Sequence, residues 1–169
     1  GALVSGAPLS AAEAPGAAAQ AKGHLLLNGG GGEAAPFWPK LFELAGGKDA
    51  AIVILPTASE RAETGQEYVD ELKAMGATGM QWLPLRTRED AARPEILAAL
   101  AQARAIFFTG GDQSRITAAI LGTPAEAAIR KVYDDGGVLA GSSAGLACMS
   151  RVMRTGEGNF EVLTAGNVE

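Results

Sequence analysis

The stretch GGVLAGSSAGLACMS, residues 136–150, changes character in its middle. Its first half contains a short apolar run, 137–141, of the kind that forms a strand buried in a sheet. Gly141-Ser142-Ser143-Ala144-Gly145 follows, and a segment of small residues then opens a helix. A buried strand that breaks directly into a helix predicts an α/β fold with a sharp turn at the edge of its sheet.

The rest of the chain repeats this alternation from Gly23 onward. Apolar runs predict five strands, over 24–28, 50–58, 79–85, 105–112 and 137–141. Helical spacing of apolar residues predicts helices over 37–45, 62–75, 94–103 and 113–121, and a fifth opened by Thr123-Pro124 that ends near 134–137. Because helical crossovers join parallel strands, we predict a three-layer, doubly wound, mostly parallel, flavodoxin-like sheet. Ligands of such sheets bind at the carboxyl ends of the strands.

Composition narrows the classes of function. The 169 residues are 47% hydrophobic and 20% charged, as in a globular domain with its own core. The net charge of -5 and the lack of a Lys/Arg cluster argue against nucleic-acid binding. No apolar run approaches the length of a membrane span. One His, one Cys and no acidic cluster offer no ligand set for a metal, and we expect no cofactor.

The first 22 residues are rich in Ala, Gly, Pro and Ser and show no period. We interpret residues 1–22 as a flexible N-terminal tail. Small-x-small sites within it leave open the end of a signal peptide. The first residue is Gly1 rather than Met, so the sequence slightly favours an exported protein over a cytoplasmic one.

The pentapeptide 141–145 fits the G-x-S-x-G pattern of a nucleophile elbow, with Ser143 at its centre. A nucleophile on a sharp strand-to-helix turn has strained dihedrals, so its neighbours must be small. The N–H group of Ala144 would then lie where an oxyanion hole needs a donor. A helix N-cap formed by Ser142 or Ser143 explains the same residues without any chemistry.

A second glycine turn follows the fourth predicted strand, in FFTGGDQ, residues 107–113. We expect this strand to neighbour the fifth, which brings the turn close to the elbow. Gly110 allows close approach of a ligand, and Gly111 or Asp112 can supply the other oxyanion donor. Asp112 also suits the N-cap of the next helix. Gln113 is suited to holding an amide or a carboxylate of the substrate, and Asp112 is a second candidate for contact with substrate.

Rival interpretations use other residues. Residues 29–34 fit G-x-G-x-x-[GA] after a strand, as in nucleotide-binding modules, although the acidic residue that binds ribose is missing from its expected place. A glutamine-amidotransferase-like or chaperone-like relative on the same fold would carry a cysteine at the elbow. Here Cys148 lies five residues after Ser143, and we expect it to be a small buried side chain. A peptide-binding subunit without catalysis is a third possibility.

Two charged features have a simple surface interpretation. The run RTRED, residues 86–90, predicts a surface loop, with the rim of the pocket as the alternative. Arg115 is expected on the solvent side of its helix, with a role as a substrate clamp as the alternative.

Three motifs together support a resemblance to a known family. LLLNGGGGE (25–33), TGGDQSRI (109–116) and GGVLAGSSAGLACMS (136–150) occur in the order and at about the spacing of cyanophycinases. These are serine peptidases of the class I glutamine-amidotransferase-like fold, related to the aspartyl dipeptidase peptidase E. The resemblance covers residues 23–169.

The resemblance implies roles for individual residues. Ser143 takes the place of the nucleophile, Ala144 and the region of Gly111 take those of the oxyanion donors, and Gln113 that of a substrate contact. Family members cleave peptide bonds at β-linked aspartyl residues, and cyanophycinases proper release β-Asp-Arg dipeptides. The implied mechanism is acyl transfer without a metal: a histidine accepts the proton of Ser143, and water hydrolyses the acyl-enzyme.

The sequence differs from the family because it has no histidine downstream of the elbow. The family's catalytic histidine would lie beyond Glu169, and the one histidine here, His24, is on the first predicted strand. We therefore expect residues 23–169 to be the N-terminal part of one peptidase domain, incomplete without a second chain. That chain would come from the same precursor after Glu169, and the processed unit would form a homodimer. A new N-terminal Ser, Thr or Cys as nucleophile and a truncated chain remain alternatives.

Overall fold

The computed structural model of the protein describes residues 22–31 and 36–153. Most of the predicted tail, 1–22, and the C-terminal stretch 154–169 lie outside these residues. Five strands form one sheet: β1 (His24–Asn28), β2 (Ile52–Leu55), β3 (Met80–Trp82), β4 (Ala105–Phe108) and β5 (Val138–Ser142).

Six helices connect or follow the strands. They are α1 (Phe37–Ala45), α2 (Thr64–Ala74), α3 (Pro94–Gln102), α4 (Gln113–Ile120), α5 (Pro124–Asp134) and α6 (Ala144–Ala147). Pro94 and Pro124 occupy first turns, where a missing N–H costs nothing. A single 3-10 turn that the sequence did not predict, Asp90–Ala92, precedes α3. Every predicted strand and helix is present in the described chain.

The sheet order is β1-β5-β4-β2-β3, and all described pairs of strands are parallel. β5 therefore lies between β1 and β4, with Ser142 opposite Asn28 and Gly141 opposite Phe108. The expected neighbourhood of the fourth and fifth strands is confirmed, whereas the place of β1 on the other side of β5 was not predicted. This order places the carboxyl ends of β1, β5 and β4 next to one another at one edge of the sheet, and glycines lie in or follow each of these ends.

Helices cover both faces of the sheet, as predicted. On β4, Phe107 points into a core formed with α1 and α2, while Ile106 and Phe108 point into a core formed with α3, α4 and α5. Phe107 is fully buried, and its ring lies edge-on to those of Trp38 at 4.9 Å and Tyr68 at 5.1 Å between centroids. The alternation along one strand produces the three layers.

Three strands are shorter than predicted, and prolines or glycines explain where they end. β2 stops at Leu55 because Pro56 cannot donate to the sheet, and the N–H of Ser59 turns back to the carbonyl of Pro56 at 3.0 Å. Pro84 similarly follows the end of β3. β4 stops before Gly110-Gly111, where the φ of Gly111 is +139°. The predicted strand residues that lie beyond these ends belong to the turns, where Thr57, Ala58 and Thr109 are buried whereas Gly111 and Asp112 are exposed.

No helix within residues 22–31 and 36–153 combines the length and hydropathy needed to cross a bilayer.

Removing the Phe107 ring tests the core between the sheet and α1. We expect Phe107→Ala to lower the free energy of unfolding by about 3–5 kcal/mol, because a fully buried ring leaves a cavity. Leu121→Ala is the control, since Leu121 is 57% exposed, and should change stability by less than about 0.5 kcal/mol. Urea denaturation of both variants measures the difference, and equal losses would contradict this assignment of the core.

Candidate active site

Ser143 has a backbone conformation unlike that of any other non-glycine residue in the described chain. Its φ is +53° and its ψ is -110°, and all other positive φ angles there belong to glycines. Such dihedrals cost about 1–3 kcal/mol and persist where surrounding contacts impose them. Here the N–H of Ser143 donates to the carbonyl oxygen of Asn28 at 2.9 Å, which ties the turn to the end of β1. The residue itself is exposed.

Close packing inside the turn explains both glycines of the G-x-S-x-G pattern. A Cβ on Gly141 would lie 2.3 Å from the carbonyl oxygen of Gly145. A Cβ on Gly145 would lie 2.1 Å from the carbonyl oxygen of Phe108 on β4. Any larger residue at either position would push α6 away from the sheet. The turn therefore has the tight strand-to-helix geometry of a nucleophile elbow.

The side chain of Ser143 lies between two further glycines from neighbouring strands. A Cβ on Gly30, after β1, would be 3.2 Å from the Cβ and 3.5 Å from the Oγ of Ser143. A Cβ on Gly110, after β4, would be 3.6 Å from the Cβ of Ser143. The hydroxyl thus lies in a cleft with glycine on both sides. Gly30 is not among the site residues predicted from the sequence, although the run of four glycines after β1 is a visible signal.

Backbone N–H groups next to Ser143 are available to a ligand. Within the residues that the structure covers, the N–H groups of Ala144, Gly110 and Gly111 have no hydrogen-bond acceptor. Ala144 begins α6, which is a single turn of four residues, so local N–H groups rather than a long helix dipole act here. Preorganised N–H donors near a nucleophile are the elements of an oxyanion hole.

The capping explanation holds at one position and fails at another. Ser143 occupies the N-cap position of α6 without any side-chain cap hydrogen bond, and Ser142 is buried. The side chain of Asp112 does cap α4, accepting from the N–H of Ser114 at 2.8 Å. Ser143 is therefore not explained by helix capping, whereas Asp112 has a structural role whatever its part in binding.

The turn after β4 is fixed to the turn after β2. The φ of Gly111 is +139°, and a Cβ there would lie 2.2 Å from the carbonyl oxygen of Ala58. The same carbonyl accepts from the N–H of Asp112 at 3.0 Å. Gly111 therefore faces Ala58, and Gly110 is the glycine that faces Ser143. Gln113, half-buried, begins α4 beside this turn, so all the candidate site residues lie on two adjacent strand ends.

His24 is at the wrong end of the sheet to assist Ser143. It is opposite Val138 at the start of β5, five residues before Ser143. At about 3.3 Å per residue along a strand, the two are separated by roughly 16 Å. His24 cannot accept the serine proton over that distance.

Cys148 does not provide a reactive thiol at this site. Burial raises the pKa of the Cys148 thiol to about 11, and its Sγ donates to the carbonyl oxygen of Gly145 at 3.2 Å. Part of the glycine-rich motif 29–34 lies outside the described residues. Within the described ones, no group of three or more His, Cys, Asp or Glu side chains could hold a metal ion.

Comparison with known proteins finds one peptidase family and its cyanophycinases. The family model described as peptidase family S51 matches residues 25–165. The cyanophycinase of Trichormus variabilis is 38% identical over 122 residues, which are 71% of this chain and 41% of that protein. The cyanophycinase of Synechococcus elongatus is 35% identical over 119 residues, 69% of this chain and 37% of that protein. This chain thus spans about two fifths of the length of these relatives.

A solved structure shares the fold. The crystal structure of a peptidase from an acI-B1 Actinobacterium superposes with a TM-score of 0.65 at 29% identity. The match covers 79% of this chain and 59% of that one. The class I glutamine-amidotransferase-like, flavodoxin-like class predicted from the sequence agrees with this match and with the parallel sheet.

The contact between Gly30 and Ser143 can be tested against a matched glycine. Gly30 and Gly31 both have positive φ, at +102° and +83°, but a Cβ on Gly31 would meet nothing within 4 Å. Gly31→Ala therefore measures backbone strain alone, about 1 kcal/mol. We expect Gly30→Ala to lower the free energy of unfolding by more than this. In the full-length protein, unlike Gly31→Ala, it should slow phosphonylation of Ser143 by a fluorophosphonate at least about tenfold, since the methyl displaces the serine side chain. Equal phosphonylation rates would show that Gly30 does not shape the site.

The environment of Cys148 predicts slow alkylation. With a pKa of about 11 instead of 9.0, its thiolate population near pH 8 is about a hundredfold lower than that of an unperturbed thiol. Iodoacetamide should therefore modify native Cys148 at least about a hundredfold more slowly than the same cysteine in urea, as measured by intact mass. Rapid modification of the native protein would indicate a reactive thiol and contradict this environment.

Proposed function

The chain belongs to peptidase family S51, and from this we propose that its full-length protein is a serine peptidase of the cyanophycinase type. It hydrolyses β-aspartyl peptide bonds, as in cyanophycin-derived peptides, through an acyl-enzyme on Ser143. One observation carries the proposal: among the non-glycine residues of 22–31 and 36–153, Ser143 alone has a positive φ, and it is exposed in a cleft at the carboxyl edge of the sheet. Strain of this kind is typical of a nucleophile elbow.

The first chemical step uses groups that surround Ser143. Its Oγ attacks the carbonyl carbon of the scissile bond as a histidine takes the hydroxyl proton, and the carbonyl oxygen becomes negatively charged. The N–H of Ala144 on one side and those of Gly110 and Gly111 on the other are the donors for that oxygen. Collapse of the tetrahedral intermediate, with proton transfer from the histidine, releases the amine. Water then hydrolyses the ester.

We propose that residues beside the elbow contact the substrate. Gln113 and Asp112 begin α4 directly beyond the glycine turn, and the side chain of Asp112 is half exposed. They are in place to contact the part of a β-aspartyl substrate that extends from the elbow toward β4. Gly110 lets the substrate backbone approach closely because it has no side chain.

The histidine is proposed to come from polypeptide beyond Glu169. Two observations support this: His24 lies roughly 16 Å from the elbow by strand length, and the chain spans about two fifths of its cyanophycinase relatives. We propose that this polypeptide is a second chain processed from the same precursor, docked on residues 23–169, and that the processed unit forms a homodimer.

Replacing the nucleophile tests the proposal directly. In the full-length protein, Ser143→Ala should abolish labelling by a fluorophosphonate and lower hydrolysis of β-Asp-Arg peptides by about 10³-fold or more, because no acyl-enzyme can form. Ser150→Ala is the control, since Ser150 is exposed and follows α6, and it should label like the wild type. Unchanged labelling of Ser143→Ala would rule out this nucleophile.

The intact mass of the labelled wild type tests the two-chain arrangement. We expect the adduct on a species that contains Ser143, and a second species whose N-terminus follows Glu169 and that contains a histidine. A single unprocessed species would contradict processing. An adduct on the N-terminus of the second species would assign the nucleophile there instead of to Ser143.

A further inference from the structure

We propose that Arg86, in the loop after β3, is a positioning residue for the active site, which it affects by clamping the turn of residues 58–61 beneath the turn of residues 110–112. This inference rests on the function proposed above. The charged run 86–90 predicts a surface loop, with the rim of the pocket as the alternative. The contacts of Arg86 connect this loop to the turn of residues 58–61.

The guanidinium of Arg86 holds two carbonyl groups of the turn after β2. Its Nη1 donates to the carbonyl oxygen of Ser59 at 2.5 Å, and its Nη2 donates to that of Arg61 at 2.9 Å. A planar guanidinium presents two such donors in a fixed geometry, which the single ammonium of a lysine cannot reproduce. Arg86 therefore fixes both the position and the orientation of this turn.

Arg86 is itself held in place by its own loop. The N–H groups of Arg86 and Thr87 both donate to Oδ2 of Asp90 at 3.0 Å. The hydrogen bond from the Arg86 N–H is the main cause that lowers the pKa of Asp90. Nearby, the buried hydroxyl of Thr57 donates to the carbonyl oxygen of Leu85 at 2.7 Å. The clamp is thus anchored on both β2 and β3.

The clamped turn supports the glycine turn next to Ser143. The carbonyl of Ala58 accepts from the N–H of Asp112, and Gly111 packs against it without room for a Cβ. Arg115 reinforces this junction, because its guanidinium pairs with Glu60 on one turn and lies 3.9 Å from the Asp112 carboxylate on the other. A shift of residues 58–61 would therefore move residues 110–112, including the glycine that faces Ser143.

These contacts connect Arg86 to Ser143 although β3 lies three positions from β5 in the sheet. Arg86 bonds to main-chain carbonyl groups of the 58–61 turn, so its effect reaches the reacting atoms through the Gly110–Gly111 N–H groups. Displacing an oxyanion donor by a fraction of an ångström weakens its hydrogen bond in the transition state more than it weakens substrate binding. Loss of Arg86 should lower kcat more than it raises KM.

Arg88 provides a matched control in the same loop. Its Nη1 also donates to main-chain carbonyls, at 2.7 Å to Leu121 and 3.5 Å to Ala118, but these belong to the end of α4 far from the glycine turn. Arg86→Ala and Arg88→Ala each remove one exposed or half-exposed arginine that bonds to backbone. Only the first should alter the geometry next to Ser143.

The test uses the full-length protein and β-Asp-Arg peptides. We expect Arg86→Ala to lower kcat at least about tenfold, with a smaller change in KM, and guanidinium ion below denaturing concentration to restore part of kcat. The kcat of Arg86→Lys should remain below that of the wild type, because a lysine cannot bond to both carbonyl groups in the same geometry. The kcat of Arg88→Ala should stay within about twofold of the wild-type value. An unchanged kcat in Arg86→Ala, or an equal loss in Arg88→Ala, would overturn the proposal.

Amide hydrogen exchange separates this inference from the proposed function. The Asp112 N–H, which bonds to Ala58, should exchange at least about tenfold faster in Arg86→Ala than in the wild type and remain unchanged in Arg88→Ala. If the wild type does not hydrolyse these peptides, the proposed function fails while the exchange rate still decides whether Arg86 holds the turn. Unchanged exchange at Asp112 would overturn the clamp even in an active peptidase.

Discussion

The backbone of Ser143 turns through a positive φ, and the chain around it is built to hold that conformation. β5 ends one residue earlier, and a one-turn helix starts one residue later. The N–H of Ser143 bonds to Asn28 on the neighbouring strand, and Gly145 packs directly against the carbonyl of Phe108. Strand pairing on both sides of β5 thus supplies the energy that keeps a serine in a conformation favoured by glycine.

The order of the strands determines where this strained residue can act. With β5 between β1 and β4, the glycine turns that follow those two strands flank the serine side chain. Parallel strands place all three turns at one edge, and the helices close both faces, so that edge is where a ligand has access. The turn after β4 in turn rests on the turn after β2, and Arg86 ties the latter to the loop after β3. The geometry next to Ser143 therefore depends on all five strands.

Much of this could be predicted from sequence because local patterns encode it. The apolar runs gave the strands, prolines and glycines gave the ends of several elements, and the pentapeptide 141–145 indicated the elbow. The pairing of β1 with β5 joins segments more than a hundred residues apart, and no local pattern encodes such a pairing. For that reason Gly30 was left out of the site. Arg86 was assigned to a surface loop for the same reason, since its carbonyl partners lie some 25 residues away.

A crystal structure of the full-length protein inactivated by a fluorophosphonate would show which residue is the nucleophile and which groups surround it. We expect a phosphonyl group bonded to Oγ of Ser143, with φ of that residue still positive. One phosphonyl oxygen should lie within hydrogen-bond distance of the Ala144 N–H and of the Gly110–Gly111 turn. An adduct on another residue, or a phosphonyl oxygen directed away from both donors, would contradict this assignment.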